Sequence, residues 1–458
     1  MGVRSGGLSL GLAVISILAL KSAAAAEALT YGVDVGVAES DNVTLVPTDK
    51  VSQTIALADV DFDINKQSRL LDVDAKGNFT YLDYLQGAYN SQVIGRFDGA
   101  AHVALIPERL TWVLTDDFGQ AALDAFTPVT PTNLENVNYV STGPDLALRL
   151  GGTSFINASA RFARAQYETS PFNSDRLIGN LAWGRQLSAQ SSVSLNGETE
   201  RVLFDNTVVN SDFEHTSGFG RYEVQGARTG LAVDLGATTI DQSGSSTTGG
   251  LARVQLTRKL STAAQLTLSV GHDLTDASTS FSNLQSGAIG VVGTAPATLT
   301  SDSYTTNYAS VGWQYERNRT TLAVSGRWEK DTYGDQQALD YNLRGGEFRA
   351  TRLLTRAFTA EIFGRYYKSD YPHSIVAPAN GSADFDDEVI AGILTWRHGH
   401  GLEVKLKLEH AARLSTGING YRENRAVLTV GYRPKTLPTS DPTDQTSYPT
   451  NRSYPTNK

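Results

Sequence analysis

The chain has 458 residues, with 39 basic and 48 acidic side chains, 42 glycines and no cysteine. Because cysteine is absent, an exported form of this protein cannot depend on disulfides, and a thiolate metal site is excluded. The formal net charge of −9 argues against nucleic acid as a partner.

The first 26 residues have the pattern of a secretory signal. Arg4 precedes an apolar run at 8–20, and small residues lead up to Ala26. This pattern predicts cleavage before Glu27. Without Arg4 and Lys21, 37 basic residues remain against 48 acidic ones, which gives a net charge of −11. No later segment approaches the roughly 18 apolar residues that a membrane helix requires, so we predict no membrane helix.

The stretch ADVDFDI, residues 58–64, places carboxylates at two-residue intervals between apolar side chains. In an extended strand this spacing puts all the acids on one face and all the apolar groups on the other. After a turn at 65–68, the next strand continues the same polar face. The five carboxylates of this predicted hairpin are Asp59, Asp61, Asp63, Asp72 and Asp74.

Amphipathic segments of this kind recur about twenty times between 29 and 432. Tight turns alternate with longer polar or glycine-rich connections, among them 39–51, 118–143, 241–248, 275–302 and 369–385. This combination is typical of a transmembrane antiparallel up-and-down β-barrel with short periplasmic turns and long extracellular loops. We therefore predict an all-β barrel of about 20 strands, within a range of 18–22.

The barrel is predicted over 27–432, with its apolar face against lipid and its polar face around the lumen. The remaining residues, 433–458, are rich in Pro, Thr and Ser, and are predicted to be a disordered periplasmic tail. The predicted pore-lining residues are Asp59, Asp61, Asp63, Asp72, Asp74, Arg96, Asp98, Glu198, Arg253, Arg327, Glu361, Arg365, Glu403, Lys405 and Lys407.

All five tryptophans share the parity of the aliphatic side chains in their segments, which predicts that they face outward. Aromatic rings at the two water interfaces are expected of a lipid-facing surface. These predicted interface residues are Trp112, Trp183, Trp313, Trp328 and Trp396.

Three aromatic residues have the opposite, lumenal parity: Tyr308, Phe363 and Tyr367. Aromatic faces beside charged or amide groups suit the CH-rich faces and hydroxyls of sugars, so these residues are candidates for sugar stacking. The alternative is that they pack under a loop folded into the barrel.

No catalytic or metal-binding residue can be singled out. The five acids could attract a divalent cation, but a two-residue interval separates neighbours by about 6–7 Å, which favours a solvated patch with counterions. His398 and His400 lie in a predicted tight turn, where RHGHG is more typical of turn chemistry than of a metal site. We predict no cofactor, no metal and no enzymatic activity.

Two stretches carry a resemblance to a known family. IPERLTWVLTDDFGQ at 106–120 and FTPVTPTNLENVNYVSTGPDL at 126–146 resemble the beta-barrel porin 2 family, outer-membrane barrels often associated with exopolysaccharide gene clusters. The features in common are the P-E-R-L-x-W turn, Pro131, the Asn133, Asn136 and Asn138 series, and the T-G-P-D at 142–145. The resemblance implies a barrel that takes part in exporting or handling a secreted polysaccharide.

Three functions stay open at this point. The first is an outer-membrane channel that passes an exopolysaccharide or oligosaccharide outward, with a periplasmic export lipoprotein as a partner. The second is a general or solute-specific uptake porin, and the third is a barrel enzyme or surface-binding scaffold using loops 118–143 and 275–302. In each case the expected location is the bacterial outer membrane, and the expected partners are its lipid, lipopolysaccharide and the barrel-assembly machinery.

Overall fold

The computed structural model describes residues 26–242, 244–277, 302–334, 336–374, 383–399, 401–415 and 419–434. The predicted signal up to residue 25 and the tail from 435 onward lie outside the described residues. Among the described residues, no helix is long and apolar enough to cross a membrane.

The described residues form twenty antiparallel strands in a single closed sheet. In chain order the strands are β1 Ala26–Ser40, β2 Gln53–Gln67, β3 Leu71–Tyr84, β4 Gln92–Ile106, β5 Leu110–Ala122, β6 Leu134–Leu150, β7 Ser154–Tyr167, β8 Ser174–Ser188, β9 Ser191–Phe204, β10 Phe213–Gln225, β11 Thr229–Gln242, β12 Ser245–Lys259, β13 Ala264–Asp276, β14 Ser303–Arg317, β15 Thr320–Tyr333, β16 Tyr341–Leu353, β17 Phe358–Asp370, β18 Phe385–His398, β19 Leu402–Leu414 and β20 Tyr421–Tyr432.

The ring closes between the first and last strands. β1 pairs with β20 from Val33 opposite Tyr432 to Ser40 opposite Arg425. Every other strand pairs with its neighbours in the sequence, so the barrel is of the up-and-down type. Closure satisfies the backbone groups that a free sheet edge would leave unpaired in lipid. The predicted barrel and its twenty strands are confirmed.

Short turns gather at one end of the barrel and longer loops at the other, and we call these the short-turn end and the long-loop end. Left-handed backbone at Glu108, Gly151 and Asn318, with φ of 63°, 75° and 55°, allows three of the tight reversals. Two loop predictions were wrong. The connection predicted at 118–143 is shorter, because β5 ends at Ala122 and β6 begins at Leu134. The connection predicted at 241–248 is also shorter, because β11 ends at Gln242 and β12 begins at Ser245.

The two faces of the sheet differ as the alternation predicts. One face presents large exposed apolar side chains, for example Val35, which is 58% exposed, and Leu195, which is 64% exposed. The other face bears the buried charged groups, and its side chains contact residues of distant strands, so it is the concave, lumenal face. Lipid against the first face accounts for its apolar character.

Several glycines of the wall lie beneath aromatic rings. A Cβ on Gly77 would lie 2.5 Å from the Phe62 ring, and one on Gly271 would lie 2.3 Å from the Tyr308 ring. Aromatic rings that cover glycines on the neighbouring strand pack flat on the sheet and support its curvature. This packing explains part of the high glycine content.

Candidate functional site

The strand register places every predicted pore-lining residue on the lumenal face. Asp59 lies opposite Thr80, Asp61 opposite Asn78 and Asp63 opposite Lys76, so the hairpin of β2 and β3 has one polar face. Around the ring, Arg253 lies opposite Asp234, and Lys407 lies opposite Ile393. Directly paired residues of neighbouring strands point to the same face of the sheet. The lumenal residues of each strand can therefore be followed around the whole ring, including the closure between β1 and β20.

Much of the lumenal wall is lined by paired charges. Arg221 donates to Asp234 at 2.7 and 2.8 Å, and Arg253 lies 2.9 Å from Asp273. Across from them, Arg413 holds Asp387 at 2.8 and 2.9 Å. Pairs of this kind satisfy one another's charge along the wall.

The sector from β2 to β4 has an excess of acids. Asp63 lies 3.8 Å from Lys76, and both side chains are about half exposed. Asp72, Asp74 and Asp98 share the same face. The acids on this face outnumber its two basic residues, Lys76 and Arg96, so this sector carries a net negative charge.

The loop between β5 and β6 is folded by one buried asparagine. The Asn133 amide donates to the Asp124 carbonyl and to the Thr127 hydroxyl, both at 2.8 Å, and its carbonyl accepts from the Asp124 amide at 2.8 Å. Pro131 starts a short 3-10 turn that presents this asparagine. The motif residues Pro131 and Asn133 thus fix the shape of the loop.

This loop crosses the lumen. The Phe126 ring at its tip lies 4.9 Å from the Tyr371 ring, edge to face, although Tyr371 follows β17 on another part of the ring. Tyr371 also stacks on Tyr341 and packs with Phe385. Burial raises the pKa of Tyr371 above its ordinary value of 10, so its hydroxyl stays protonated at neutral pH. The long-loop end of the lumen is narrowed by this aromatic cluster.

The end of the β13–β14 hairpin also bends into the lumen at the long-loop end. β13 pairs with β12 only as far as His272 opposite Ala252, whereas its pairing with β14 continues to Asp276 opposite Ser303. Beyond the separation, Leu274 packs into a buried cluster with Phe213 and Ile240 from the lumenal wall. A regular strand would turn Leu274 outward, so the end of the β13–β14 hairpin bends across the lumen.

A buried arginine holds this bent hairpin. The Arg176 side chain on β8 is 1% exposed; it lies 2.8 Å from Glu200 and 2.8 Å from Asp276 at the end of β13. The guanidinium also lies 6.0 Å from the centre of the Tyr139 ring. The pairing of Arg176 with Asp276 joins two walls of the barrel that are not adjacent in the sheet.

The three predicted sugar-stacking residues differ from one another. Tyr308 and Tyr367 are half-buried on the lumenal wall, where their rings cover Gly271 and Gly345. Phe363 is 5% exposed, packs with Val389 and lies under the Arg349 guanidinium at 5.0 Å. The sugar-stacking prediction was therefore wrong for Phe363, because neighbouring strands cover its ring.

The tryptophans lie on the outer face. Trp112, Trp183 and Trp328 are 43, 59 and 44% exposed, and Trp313 and Trp396 are half-buried. Trp112 donates from Nε1 to the Thr142 hydroxyl at 2.8 Å. His398 stacks on Trp396, and its predicted turn neighbour His400 lies outside the described residues.

At the short-turn end, the seam between first and last strands is joined by Arg433, which directly follows β20. Its guanidinium pairs with Asp61, lies 3.6 Å from Asp34 and 3.5 Å from Glu403. Burial disfavours the charged guanidinium, but these carboxylates outweigh it and raise the pKa of Arg433. The predicted tail therefore begins with a residue anchored in the barrel.

Sequence reasoning missed Asp34, Phe126, Arg176, Asp276 and Arg433. Asp34 could have been found, because it alternates with Val33 and Val35 in the same way as the acids of β2. Phe126 lies in a loop and Asp276 beyond the regular pairing of β13 with β12, so no periodic signal marks either one.

No protein-family model matches the chain, and no curated protein matches it either. Solved barrels share its general form. The FrpB iron transporter from Neisseria meningitidis (F5-1 variant) aligns over 88% of this chain and 82% of its own, with 10% identity and a TM-score of 0.46. The siderophore receptor PirA from Pseudomonas aeruginosa aligns over 90% and 81%, with 9% identity and a TM-score of 0.42.

OmpTdeltaL8, a loop-deletion mutant of the Vibrio cholerae outer membrane protein OmpT, aligns over 89% of this chain and 99% of its own, with 8% identity and a TM-score of 0.34. At these identities and TM-scores the likenesses say nothing about a substrate. The strand pairing of this chain shows the barrel by itself.

Proposed function

We propose that this protein is an outer-membrane channel, narrowed by its own loops, that takes part in exporting an exopolysaccharide or oligosaccharide. The observation that carries the proposal is the contact of Phe126 with Tyr371, which draws a loop across a lumen otherwise wide enough for water. A lumen narrowed in this way favours a dedicated channel over a wide general pore. The resemblance to the beta-barrel porin 2 family supplies the class of substrate.

The half-buried rings of Tyr308 and Tyr367 support a carbohydrate as the cargo. Each ring lies over a glycine of the neighbouring strand and is half-buried on the lumenal wall. A flat aromatic surface beside charged groups can stack on a sugar ring while those groups bond its hydroxyls. Membership of the beta-barrel porin 2 family, export by way of a periplasmic lipoprotein, and signal cleavage before Glu27 belong to the same proposal.

Planar-bilayer recording tests this function. The wild-type barrel should show a low conductance that the secreted glycan of the producing strain changes at micromolar to millimolar concentration. Tyr308→Ala with Tyr367→Ala should weaken the glycan effect, whereas Phe162→Ala on the outer face should leave it intact. A large ohmic conductance that the glycan does not change would contradict dedicated export.

The second candidate, an uptake porin, is supported by the acidic sector of β2 to β4. A negative wall raises the local concentration of cationic solutes. Deletion of the gene discriminates between the two, since loss of secreted glycan supports export, and slower growth on a cationic nutrient with normal glycan secretion supports uptake.

A further inference from the structure

Three carboxylates converge at the seam of the barrel. Asp34 on β1 lies directly opposite Asp59 on β2, and Asp61 is the next lumenal residue along β2. One oxygen from each of the three lies within 4.8 Å of the others. Asp59 and Asp61 on β2 supply two of these oxygens, and Asp34 from the neighbouring strand supplies the third.

Asp34 lacks the partners that a buried carboxylate needs. The residue is 2% exposed, and neither of its oxygens accepts a hydrogen bond from any residue that the structure describes. The nearest cation, Arg433, has its Nη2 atom 3.6 Å from Asp34 Oδ2, which is beyond hydrogen-bonding distance. A buried charge without hydrogen bonds is costly unless it is paired or coordinates a metal.

The local charge does not balance without a further cation. Arg433 directs its bonds to Asp61, and Asp59 accepts only from the neutral groups of Asn78 and Thr80. Within the described part of the chain, Arg433 is the one cation in ion-pair range of the three acids, which leaves a net charge of −2. The neighbouring Glu403 forms ion pairs with Arg397 and Lys405.

We propose that Asp34, Asp59 and Asp61 bind a calcium ion at the seam of the barrel. All the donors are carboxylate oxygens, as hard divalent cations require, and oxygens that lie within 4.8 Å of one another can share one ion with Ca–O bonds of about 2.4 Å. Ca²⁺ accepts a flexible coordination geometry rich in carboxylate oxygens, whereas Mg²⁺ demands a near-ideal octahedron and usually keeps several of its waters. The ion neutralises the remaining charge and links β1 to β2 beside Arg433. This site does not depend on the transport function proposed above.

Calorimetry with Ca²⁺ alone tests the site. The full-length barrel, purified in detergent and stripped with EDTA, is titrated with CaCl2 at about 0.15 M NaCl, where diffuse surface binding is screened. We expect the wild type to bind one Ca²⁺ more than Asp34→Asn does, so that ions held by co-purified lipopolysaccharide cancel in the difference. Asp74→Asn, which removes a lumenal acid outside the cluster, should bind Ca²⁺ as the wild type does.

A second measurement guards against a folding defect. Ca²⁺ should raise the temperature at which the wild-type barrel loses its fast, heat-modifiable gel mobility, because a ligand of the folded state alone stabilises that state. The rise should be absent in Asp34→Asn and in Asp59→Asn. Arg433→Gln should bind Ca²⁺ more tightly, since a competing positive charge is gone. Equal Ca²⁺ binding by the wild type and Asp34→Asn, or an equal loss in Asp74→Asn, would overturn the proposal.

Discussion

Phe126 and Tyr371 meet edge to face across the lumen, with ring centres 4.9 Å apart, although one residue follows β5 and the other follows β17. The contact depends on Asn133, which folds the loop that carries Phe126. It converts a wide cylinder into one that is narrowed at its long-loop end.

Phe126→Ala should widen the channel. Fully burying an aromatic side chain stabilises by roughly 1.5–3 kcal/mol, and Phe126 is half-buried, so its loss should shift the population of the loop away from Tyr371 by about three- to tenfold. Single-channel conductance should rise, and the folded barrel should keep its heat-modifiable mobility. Phe162→Ala removes the same ring from the outer face and should leave the conductance unchanged; if both variants behave alike, the loop does not control the pore.

Arg176→Met should release the bent hairpin. It leaves Glu200 and Asp276 buried beside each other without their cation, a change that typically costs about 3–5 kcal/mol. Urea unfolding in detergent should show the loss, and protease should cut more readily near the end of β13. The triple variant that adds Glu200→Gln and Asp276→Asn should recover much of the stability, because no uncompensated charge then remains.

Asp41 should make the long-loop end of the seam sensitive to acid. Burial favours the neutral form, but the Asn424 backbone and side-chain amides, which donate at 2.8 and 2.6 Å, and nearby Lys50 together hold the pKa of Asp41 below its ordinary 3.8. For a carboxyl with a lowered pKa, the stability gain is present above the unfolded value and is lost as pH falls through the folded value.

The difference in unfolding midpoint between wild type and Asp41→Asn should therefore be constant above pH 5 and shrink below about pH 3.8. Asp49→Asn changes an exposed acid of the same loop and serves as the control. A difference that persists undiminished at pH 2.5 would show that the carboxylate charge is not what joins Asp41 to Asn424.

Gly271→Ala should disturb Tyr308. The added Cβ would lie 2.3 Å from the Tyr308 ring, which must move away from the wall. Overpacking of this kind costs about 1–3 kcal/mol, measurable as a lower urea midpoint. Gly197→Ala is the matched control, because nothing lies within 4 Å of its added Cβ. An equal loss in both variants would point to backbone effects instead.

Neutralising the open part of the acidic sector should change ion selectivity alone. Asp63→Asn, Asp72→Asn and Asp74→Asn together remove three lumenal negative charges outside the calcium cluster. The reversal potential in a KCl gradient should shift toward anions, while the barrel folds normally. Loss of heat-modifiable mobility in this triple variant would show that the patch is structural.

The strand number, the pairing order and the face of each pore-lining residue followed from the sequence. Alternation with a period of two is a local property of an extended chain, so Asp59 and Trp112 could be placed on opposite faces before any contact was known. Phe363 shows the limit of this reasoning. Its parity was predicted correctly, but its burial depends on Val389 and Arg349 from the adjacent strands.

Leu274 also depends on contacts from other strands: a regular strand would direct its side chain outward, but it packs against lumenal residues. Its hairpin separates from β12 and bends, so that the outer side of one strand meets the lumenal side of others. Alternation cannot report such a bend, since it describes direction relative to the local sheet only.

The sequence by itself determined that this chain closes into a cylinder with an apolar exterior and a polar interior, because each strand carries that division in every pair of residues. Only the tertiary structure decided what fills the interior. The contacts of Phe126 with Tyr371, of Arg176 with Asp276, and of Asp34 with Asp59 and Asp61 join residues that are 25–245 positions apart in the sequence. Their energies depend on the closed ring that brings those residues together.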